Sequence, residues 1–230
     1  MRRTVIISLG GSLIVPQPGY IDVKFMKKFR TEIINFVARN DNRVIIVSGG
    51  GRLNKRYNSA IQEIVKPSLI DLDWLGISAT KLHAEFVRIM FGQKAHQQII
   101  DNPTKKINTD KQILCGGGWR PGCSTDKDSV LLAKTYGSHE VINLTNIDYV
   151  YTKDPRKFKN AKKVKDTTWT EYFKMIPKKW SPRLNTPFGP PASRLAKKYG
   201  VTVSIINGKK VSNLKKVLLR KTFKGTTIYP

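Results

Sequence analysis

The chain has 230 residues, 40% of them hydrophobic, and its 42 Lys and Arg outnumber 16 Asp and Glu to give a net charge of +26. This composition excludes a disordered chain and a fibrous protein, and no apolar run approaches the roughly 20 residues of a membrane helix. The N-terminal apolar run stops at Gly10 and is too short for a secretory signal, while two cysteines exclude a disulfide scaffold. We therefore expect a cytoplasmic globular protein with no membrane partner.

The positive charge is concentrated in the last third of the chain. Residues 151–230 hold 21 Lys and Arg against three acids. A field of this sign attracts polyanions such as nucleotides and nucleic acid. The alternative is a solvated basic surface without a partner, because the sequence has no RNP, KH, helix-turn-helix or zinc-finger pattern.

Short β-branched runs alternate with helical patterns along the chain. Buried parallel strands are predicted at 5–9, 44–48, 113–115, 141–145 and 201–206, with a small closing strand at 225–230. Apolar residues at steps of three and four predict helices over 22–38, 75–91, 127–136, 190–199 and 211–220. The proline-rich stretch 149–190 is expected to be an irregular excursion over the sheet edge. Strand alternating with helix predicts an α/β fold, a three-layer αβα sandwich around a mainly parallel sheet.

Three glycine clusters directly follow predicted strands. They are Gly10-Gly11, Gly49-Gly50-Gly51 and Gly116-Gly117-Gly118. The carboxyl ends of parallel strands are where α/β proteins bind ligands, and glycine lets backbone N–H groups approach an anion. The clusters therefore favour phosphate binding over simple turns. Neither a Walker A motif nor a GxGxxG dinucleotide fingerprint is present.

The ordered motifs resemble a known family. They are ISLGGSLI (7–14), VSGGGRLNKRY (47–57), DWLGISATKLHAEFVR (73–88), GGGWRPGCSTDKDSVLLAK (116–134), INLTNIDYVYTKDPRK (142–157) and GTTIYP (225–230). Together they resemble the amino acid kinase superfamily, and within it most closely the archaeal-type uridylate (UMP) kinases. The resemblance implies phosphorylation of UMP to UDP by in-line transfer from ATP with Mg²⁺, a step in pyrimidine nucleotide biosynthesis. It also implies a homo-oligomer, commonly a hexamer in the family.

The resemblance implies one kinase-like domain, 1–230, with an acceptor-phosphate lobe over about 1–138 and an ATP lobe over about 139–230. In the acceptor lobe, Gly50 and Gly51 would cradle the acceptor phosphate, with Lys55 or Arg56 supplying the charge that the family takes from an arginine. Asp73 would accept hydrogen bonds from the acceptor ribose, with a helix N-cap as the alternative role. Thr125 would contact the uracil or the phosphate.

The catalytic and ATP-binding groups are assigned by the same resemblance. Gly10 and Gly11 would lie over the transferring phosphoryl group, and Asp126 would orient the catalytic groups, with helix capping as its alternative role. Ser8 lies where the family usually has a lysine, and we expect Arg194 to supply the missing charge unless it is only a solvated helix residue. The expected ATP contacts are Ser8, Thr145, Asn146, Tyr151 and Asp154. No residue is predicted to be a protein ligand of a resident metal.

Two alternatives stay open at this point. One is a sister kinase of another small phosphate such as isopentenyl phosphate, which Asp73 argues against because a ribose-free acceptor needs no such carboxylate. The other is a nucleotide-binding regulator or pseudo-kinase that binds nucleic acid through its basic surface. Ser8 and Gly189, which replace a lysine and an aspartate of the family motifs, favour this second alternative.

Overall fold

A computed structural model describes residues 3–177 and 186–230, which form a seven-stranded sheet between two layers of helices. The strands are β1 (Thr4–Leu9), β2 (Arg43–Ser48), β3 (Ile113–Gly116), β4 (Glu140–Thr145), β5 (Val150–Tyr151), β6 (Lys163–Val164), β7 (Asp166–Thr168), β8 (Thr202–Asn207) and β9 (Gly225–Tyr229). The helices are α1 (Gly11–Ile14), α2 (Val23–Val37), α3 (Gly51–Ile64), α4 (Leu69–Phe91), α5 (Thr125–Thr135), α6 (Trp169–Met175), α7 (Pro190–Lys198) and α8 (Val211–Leu218).

The sheet has the strand order β3-β2-β1-β4-β8-β9-β7. The first five strands are parallel, and β9 runs antiparallel to β8 while pairing in parallel with β7. At the centre, Ile7 of β1 is in register with Ile46 of β2 and Ile142 of β4. The carboxyl ends of five strands therefore lie along one edge of the sheet. The predicted three-layer α/β fold is confirmed.

The core lies on both faces of the sheet because successive strand residues point to opposite sides. Ile7 and Ile46 pack with Phe29 of α2 on one face, and Ile6 and Ile45 face a second cluster under α5, α6 and α7. Both clusters are fully apolar at their centres, which explains the continuous β-branched runs of the central strands. None of the helices in the described parts of the chain has the length and apolar character that a membrane span requires.

Two predictions about the elements are wrong. The stretch 149–190 is not irregular throughout, because it contains the β5–β6 hairpin, the sheet-edge strand β7 and α6. Its buried aromatics, Trp169, Tyr172 and Phe188, complete the second core cluster, and only tertiary packing identifies them as core. The helix predicted from residue 75 begins at Leu69, where Ser68 and Asp71 form a capping box.

Candidate functional site

Two glycine turns pack against each other at the carboxyl edge of the sheet. The Gly49 N–H donates to the Leu9 carbonyl at 2.9 Å, which joins the turn after β2 to the end of β1. A Cβ atom on Gly11 would lie 2.2 Å from the Gly49 carbonyl oxygen, and one on Gly51 would lie 2.4 Å from the Gly11 carbonyl carbon. Gly51 also has a φ of +58°, which disfavours any other residue. The first two glycine clusters therefore form one backbone surface.

The helix α3 begins on this surface without a cap. Gly50 is its N-cap residue, no side chain accepts from the first amides, and the first turn holds no acid. The free N–H groups and the helix dipole together favour an anion at this position. Lys55 and Arg56, which follow in the next turn, are exposed and make no ion pair with any described residue. The predicted acceptor-phosphate residues thus lie at the N-cap and in the first two turns of α3.

Asp126 joins three elements at the same edge. Its Oδ1 atom accepts a hydrogen bond from the Ser8 hydroxyl at 3.0 Å, and the carboxylate also accepts the N–H of Gly189, the N-cap residue of α7. Burial raises the pKa of Asp126 to about 6, because loss of water disfavours the carboxylate more than the two donors favour it. Asp126 does not cap a helix, because Ser124 caps α5 by accepting the Lys127 N–H at 3.2 Å.

The loop between β3 and α5 is fixed to α4. Asp73 is exposed in the second turn of α4, and its Oδ2 atom accepts the Gly122 N–H at 2.8 Å. Asp73 is not an N-cap, because α4 starts four residues earlier. Thr125 follows in the first turn of α5, with a half-buried side chain near the same loop. Both residues predicted to bind the acceptor nucleoside therefore border one loop.

The third glycine cluster is explained by helix packing. The Gly118 N–H donates to the Thr80 Oγ1 atom at 2.6 Å, and a Cβ on Gly117 would lie 2.8 Å from that same oxygen. A Cβ on Gly116 would approach Ile100 to 3.2 Å. These glycines let α4 and the loop around Ile100 approach the end of β3. The first two clusters also pack tightly, but they pack against each other, whereas the third packs against α4 and the loop around Ile100.

The residues predicted to bind ATP lie along the end of β4 and the segment that follows it. Thr145 ends β4, and its Oγ1 atom lies 3.4 Å from Asn146 Oδ1. Tyr151 is half-buried in β5. Asp154 forms a two-pronged ion pair with Arg156, which lowers the pKa of the Asp154 carboxyl to about 2. Asp154 is therefore ionised but already partnered, so a ligand hydroxyl would share or replace Arg156.

Arg194 is exposed on α7 and has no hydrogen bond or ion pair with any other residue in the described ranges. It lies in the second turn of the helix whose N-cap amide binds Asp126. A guanidinium group without a protein partner is available to an anionic ligand. Its proposed compensation for Ser8 stays a prediction.

Three groups near the site were not assigned from the sequence. His83 is buried on α4, and its Nδ1 atom lies 2.7 Å from the Gly49 carbonyl oxygen. Asp128 is buried on α5, with Oδ2 accepting the Trp119 N–H at 3.2 Å and Oδ1 unpartnered. Gly208, which follows β8, donates to the Thr145 carbonyl at 2.8 Å. Only Gly208 had a sequence signal, since it is a further glycine just beyond a predicted strand, 201–206.

The described residues do not assemble a metal centre of their own. No group of three or more His, Cys, Asp or Glu side chains in residues 3–177 and 186–230 is placed to bind a metal ion. Mg²⁺ usually keeps several waters and binds through one or two carboxylates plus substrate phosphates. Asp126, which borders the glycine surface, fits that limited role.

Parallel strands that end in glycine turns, with an uncapped helix N-terminus beside them, are typical of α/β proteins that bind phosphate-bearing ligands. The comparisons with known proteins agree with this class. Residues 3–207 match the Amino acid kinase family, and the chain belongs to that family.

The similar proteins include several archaeal kinases. The chain is 31% identical over 229 residues to a uridylate kinase of Pyrococcus abyssi, covering 98% of this chain and 99% of that protein. It is 34% identical over 165 residues to a uridylate kinase of Thermoplasma acidophilum, covering 71% of this chain and 69% of that one. The crystal structure of uridylate kinase from Archaeoglobus fulgidus superimposes with a TM-score of 0.80 at 24% identity, over 97% of this chain and 99% of that one. The structural match shows the shared fold.

Proposed function

We propose that this chain is a UMP kinase that transfers the γ-phosphoryl group of ATP to UMP, yielding UDP and ADP. The observation that supports this most strongly is the joined glycine surface of β1 and β2 beside the uncapped start of α3 and the Asp126 carboxylate. The close similarity to uridylate kinases over nearly the whole chain supports UMP as the acceptor. The activity serves pyrimidine nucleotide synthesis in the cytoplasm, where Cys115 and Cys123 remain unpaired.

The acceptor phosphate binds at the start of α3 in this proposal. Backbone amides after Gly50 donate to its oxygens, and Lys55 and Arg56 neutralise its charge. Asp73 accepts from the ribose hydroxyls with the oxygen that Gly122 does not occupy. Thr125, on the other side of the loop, contacts the base or the phosphate.

ATP binds over the carboxyl ends of β4 and β8 in the second half of the chain. Asn146 and Thr145 contact the phosphates, Tyr151 packs near the adenine, and Asp154 contacts the ribose. Gly10 and Gly11 lie over the phosphoryl group during transfer. A Cβ on either residue would collide with the backbone of Leu144 or Gly49 and displace this turn. The two halves of the chain are therefore an acceptor lobe (about 1–138) and an ATP lobe (about 139–230) joined through the β1–β4 pairing.

Arg194 would neutralise phosphate charge together with a Mg²⁺ ion bound with ATP. Mg²⁺ supplies electrostatic stabilisation of the phosphate oxygens when it is bound with ATP, and Asp126 is the carboxylate that would hold it. Ser8 keeps Asp126 in position through its hydroxyl hydrogen bond. The attacking UMP phosphate oxygen is already ionised at neutral pH, so no strong general base is required.

A phosphoryl-transfer assay with ATP and Mg²⁺ tests this function. UMP, CMP, dUMP, AMP, GMP and isopentenyl phosphate are offered separately at equal concentration. We expect turnover with UMP to exceed that with every other acceptor. Preferred turnover of isopentenyl phosphate would keep the kinase fold and overturn the acceptor. Absence of turnover with all six, while ATP still binds, would support the regulator alternative.

We also propose that the protein is a homo-oligomer, and a hexamer by its family resemblance. An apolar surface runs over α3 and α4, where large side chains are exposed: Tyr57, Ile64, Val65, Leu69, Ile70, Trp74, Leu82 and Ile89. Exposed apolar patches of this kind usually mark protein interfaces. Light scattering should report an assembly that Ile64→Glu with Ile70→Glu dissociates and Phe158→Glu, a control at an exposed aromatic elsewhere, does not. A monomeric native protein would contradict this proposal.

A further inference from the structure

A second cleft lies on the sheet face over β8 and β9, apart from the glycine turns. It encloses about 910 Å³ and runs between the end of α8 and β7. The cause is the strand pattern: Val203, Ile205 and Ile228 point into the core. The opposite face of the same two strands carries Thr202, Ser204, Thr227 and Tyr229, and α8 does not cover it. The cleft therefore presents several hydroxyl groups beside apolar residues such as Ile142 and Val217. We refer to it as the β8–β9 cleft.

The rim of the β8–β9 cleft is basic. Six cationic side chains line it against two acids, Glu140 and Asp166. Arg3 and Arg220 both form ion pairs with Glu140, and Lys224 forms one with Asp148 at 2.5 Å. The ammonium groups of the remaining three make no hydrogen bond or ion pair with any described residue; they are Lys165, Lys216 and Lys221. These three lysines come from opposite sides of the cleft and are free to bind phosphates.

Aromatic rings lie among these cations. Tyr149, Phe223 and Tyr229 line the cleft, and Tyr229 is 46% exposed. The Lys224 ammonium is 5.9 Å from the centre of the Tyr149 ring, so one ring already meets a cation. Basic residues interleaved with aromatic rings form the surface on which single-stranded nucleic acids bind, with phosphates on the cations and bases on the rings. The sequence shows no such motif, because the contributing residues are scattered along the chain from Arg3 to Tyr229.

We propose that the β8–β9 cleft binds a single-stranded polynucleotide without strong sequence preference. The shape favours a single strand over a duplex, because a concave cleft has no helix or ribbon that could enter a duplex groove. The hydroxyl groups of the cleft offer donors and acceptors to sugar and base edges, as RNA recognition uses. None of its free lysines belongs to the proposed kinase site, and among the described residues that line the cleft only Tyr149 lies in the segment of Asn146 and Tyr151.

Fluorescence anisotropy on the full chain tests the cleft. The probes are a labelled 12-nucleotide single-stranded RNA of mixed sequence, the DNA of the same sequence, and the corresponding duplex. We expect the single-stranded RNA and the single-stranded DNA each to bind more tightly than the duplex. The difference between the two single-strand affinities shows whether the cleft prefers RNA or DNA. A duplex that binds equally well would overturn the proposal. Displacement of the strand by ATP or UTP at the same nucleotide concentration would also overturn it, by making the cleft a mononucleotide site.

The decisive comparison uses matched charge variants. Lys165→Gln/Lys216→Gln/Lys221→Gln should weaken RNA binding at least tenfold. It should also reduce the slope of log K against the logarithm of salt concentration by about 2, because each lost phosphate contact removes about 0.7 from that slope. The control Lys24→Gln/Lys27→Gln/Lys28→Gln removes the same charge from exposed positions of α2. Equal losses in the two triple variants would overturn the site, because the net charge of +26 alone would then account for binding.

An aromatic variant separates stacking from charge. Tyr229→Ala should weaken RNA binding about fivefold or more without changing the salt slope, because it removes a stacking platform and no cation. Phosphoryl transfer by both cleft variants should equal that of the native protein, which also verifies folding. Unchanged RNA affinity in Tyr229→Ala together with Phe223→Ala would overturn the proposed base contacts.

Discussion

The Ser8 hydroxyl donates to Asp126 Oδ1 at 3.0 Å, which connects the end of β1 to the first turn of α5. Ser8 is 4% exposed and carries no charge. A cation at this position would neutralise both Asp126 and a neighbouring phosphate, whereas serine can only orient the carboxylate. In the proposed mechanism, orientation of the carboxylate and neutralisation of phosphate charge are therefore tasks of two different residues, and we propose Arg194 for the second.

Removing the charge of Asp126 should abolish most activity. Asp126→Asn keeps the shape and the Ser8 contact but removes the negative charge, and we expect kcat to fall about 100-fold, a typical effect of one preorganised group. The pKa of Asp126 is raised to about 6, so its charge is lost as the pH falls through 6. Native kcat/KM should therefore decline tenfold per pH unit below pH 6, and the variant should show a flatter profile. Asp110→Asn, at an exposed position, is the control.

Arg194 should carry the charge that Ser8 lacks. Arg194→Ala should lower kcat at least 100-fold, because the guanidinium group stabilises charge in the transition state. Adding Ser8→Lys should recover at least tenfold of that loss by placing an ammonium group beside Asp126. Lys198→Ala, exposed on the same helix, should retain native activity. If Arg194→Ala has the same kcat as the Lys198→Ala control, Arg194 is only a solvated helix residue and takes no part in catalysis.

Asp128 should make the protein less stable as the pH rises. Burial raises the pKa of Asp128 to about 7 from an ordinary value of 3.8, so the folded state binds a proton more tightly than the unfolded state. The free energy of unfolding should therefore fall between about pH 4 and pH 7 and level off above. Asp128→Asn lacks this titrating group, so its free energy of unfolding should not show this fall. Compared with the native protein, the variant should therefore be roughly 1 to 4 kcal/mol better off at pH 8 than it is at pH 4. Urea unfolding at several pH values measures this, and a parallel pH dependence in both proteins would contradict it.

His83 should position the glycine turn after β2. The Gly49 carbonyl can only accept, so Nδ1 of His83 is the donor at 2.7 Å. His83→Ala should raise KM for UMP about tenfold while KM for ATP changes little, because the turn belongs to the proposed acceptor site. His83→Asn supplies an amide donor near the Nδ1 position and should restore most of the UMP affinity. Equal changes in both KM values, without rescue by asparagine, would indicate a purely structural role.

The packing of the two glycine turns should tolerate no side chain. Gly51→Ala brings a Cβ to 2.4 Å from the Gly11 carbonyl carbon, and its φ of +58° adds strain. Gly19→Ala is the matched control, because Gly19 has a φ of +77° but nothing within 4 Å of the added Cβ. We expect the control to lose about 1 kcal/mol and Gly51→Ala at least about 3 kcal/mol together with activity. Thermal unfolding of both variants measures the difference, which should vanish if backbone strain alone acts.

The sequence by itself determined the central sheet and the order of its motifs. Runs such as 44–48 are buried on both faces, and a strand covered on both sides must be continuously apolar. Such a run can be recognised from a short segment of the sequence. The glycine turns were predictable for the same reason, since each directly follows such a strand. The edge strand β7 and α6 were not predictable, because Trp169 and Tyr172 become core residues only when distant segments cover them.

Only the tertiary structure decided which candidate groups meet. Ser8 and Asp126 are 118 positions apart, and their hydrogen bond depends on how α5 packs against β1. His83 is polar on an amphipathic helix in the sequence, yet the approach of α4 brings it to Gly49. The β8–β9 cleft likewise draws cations and rings from separate segments. Local patterns encode burial and turns, whereas contacts between distant side chains depend on packing geometry that no single segment contains.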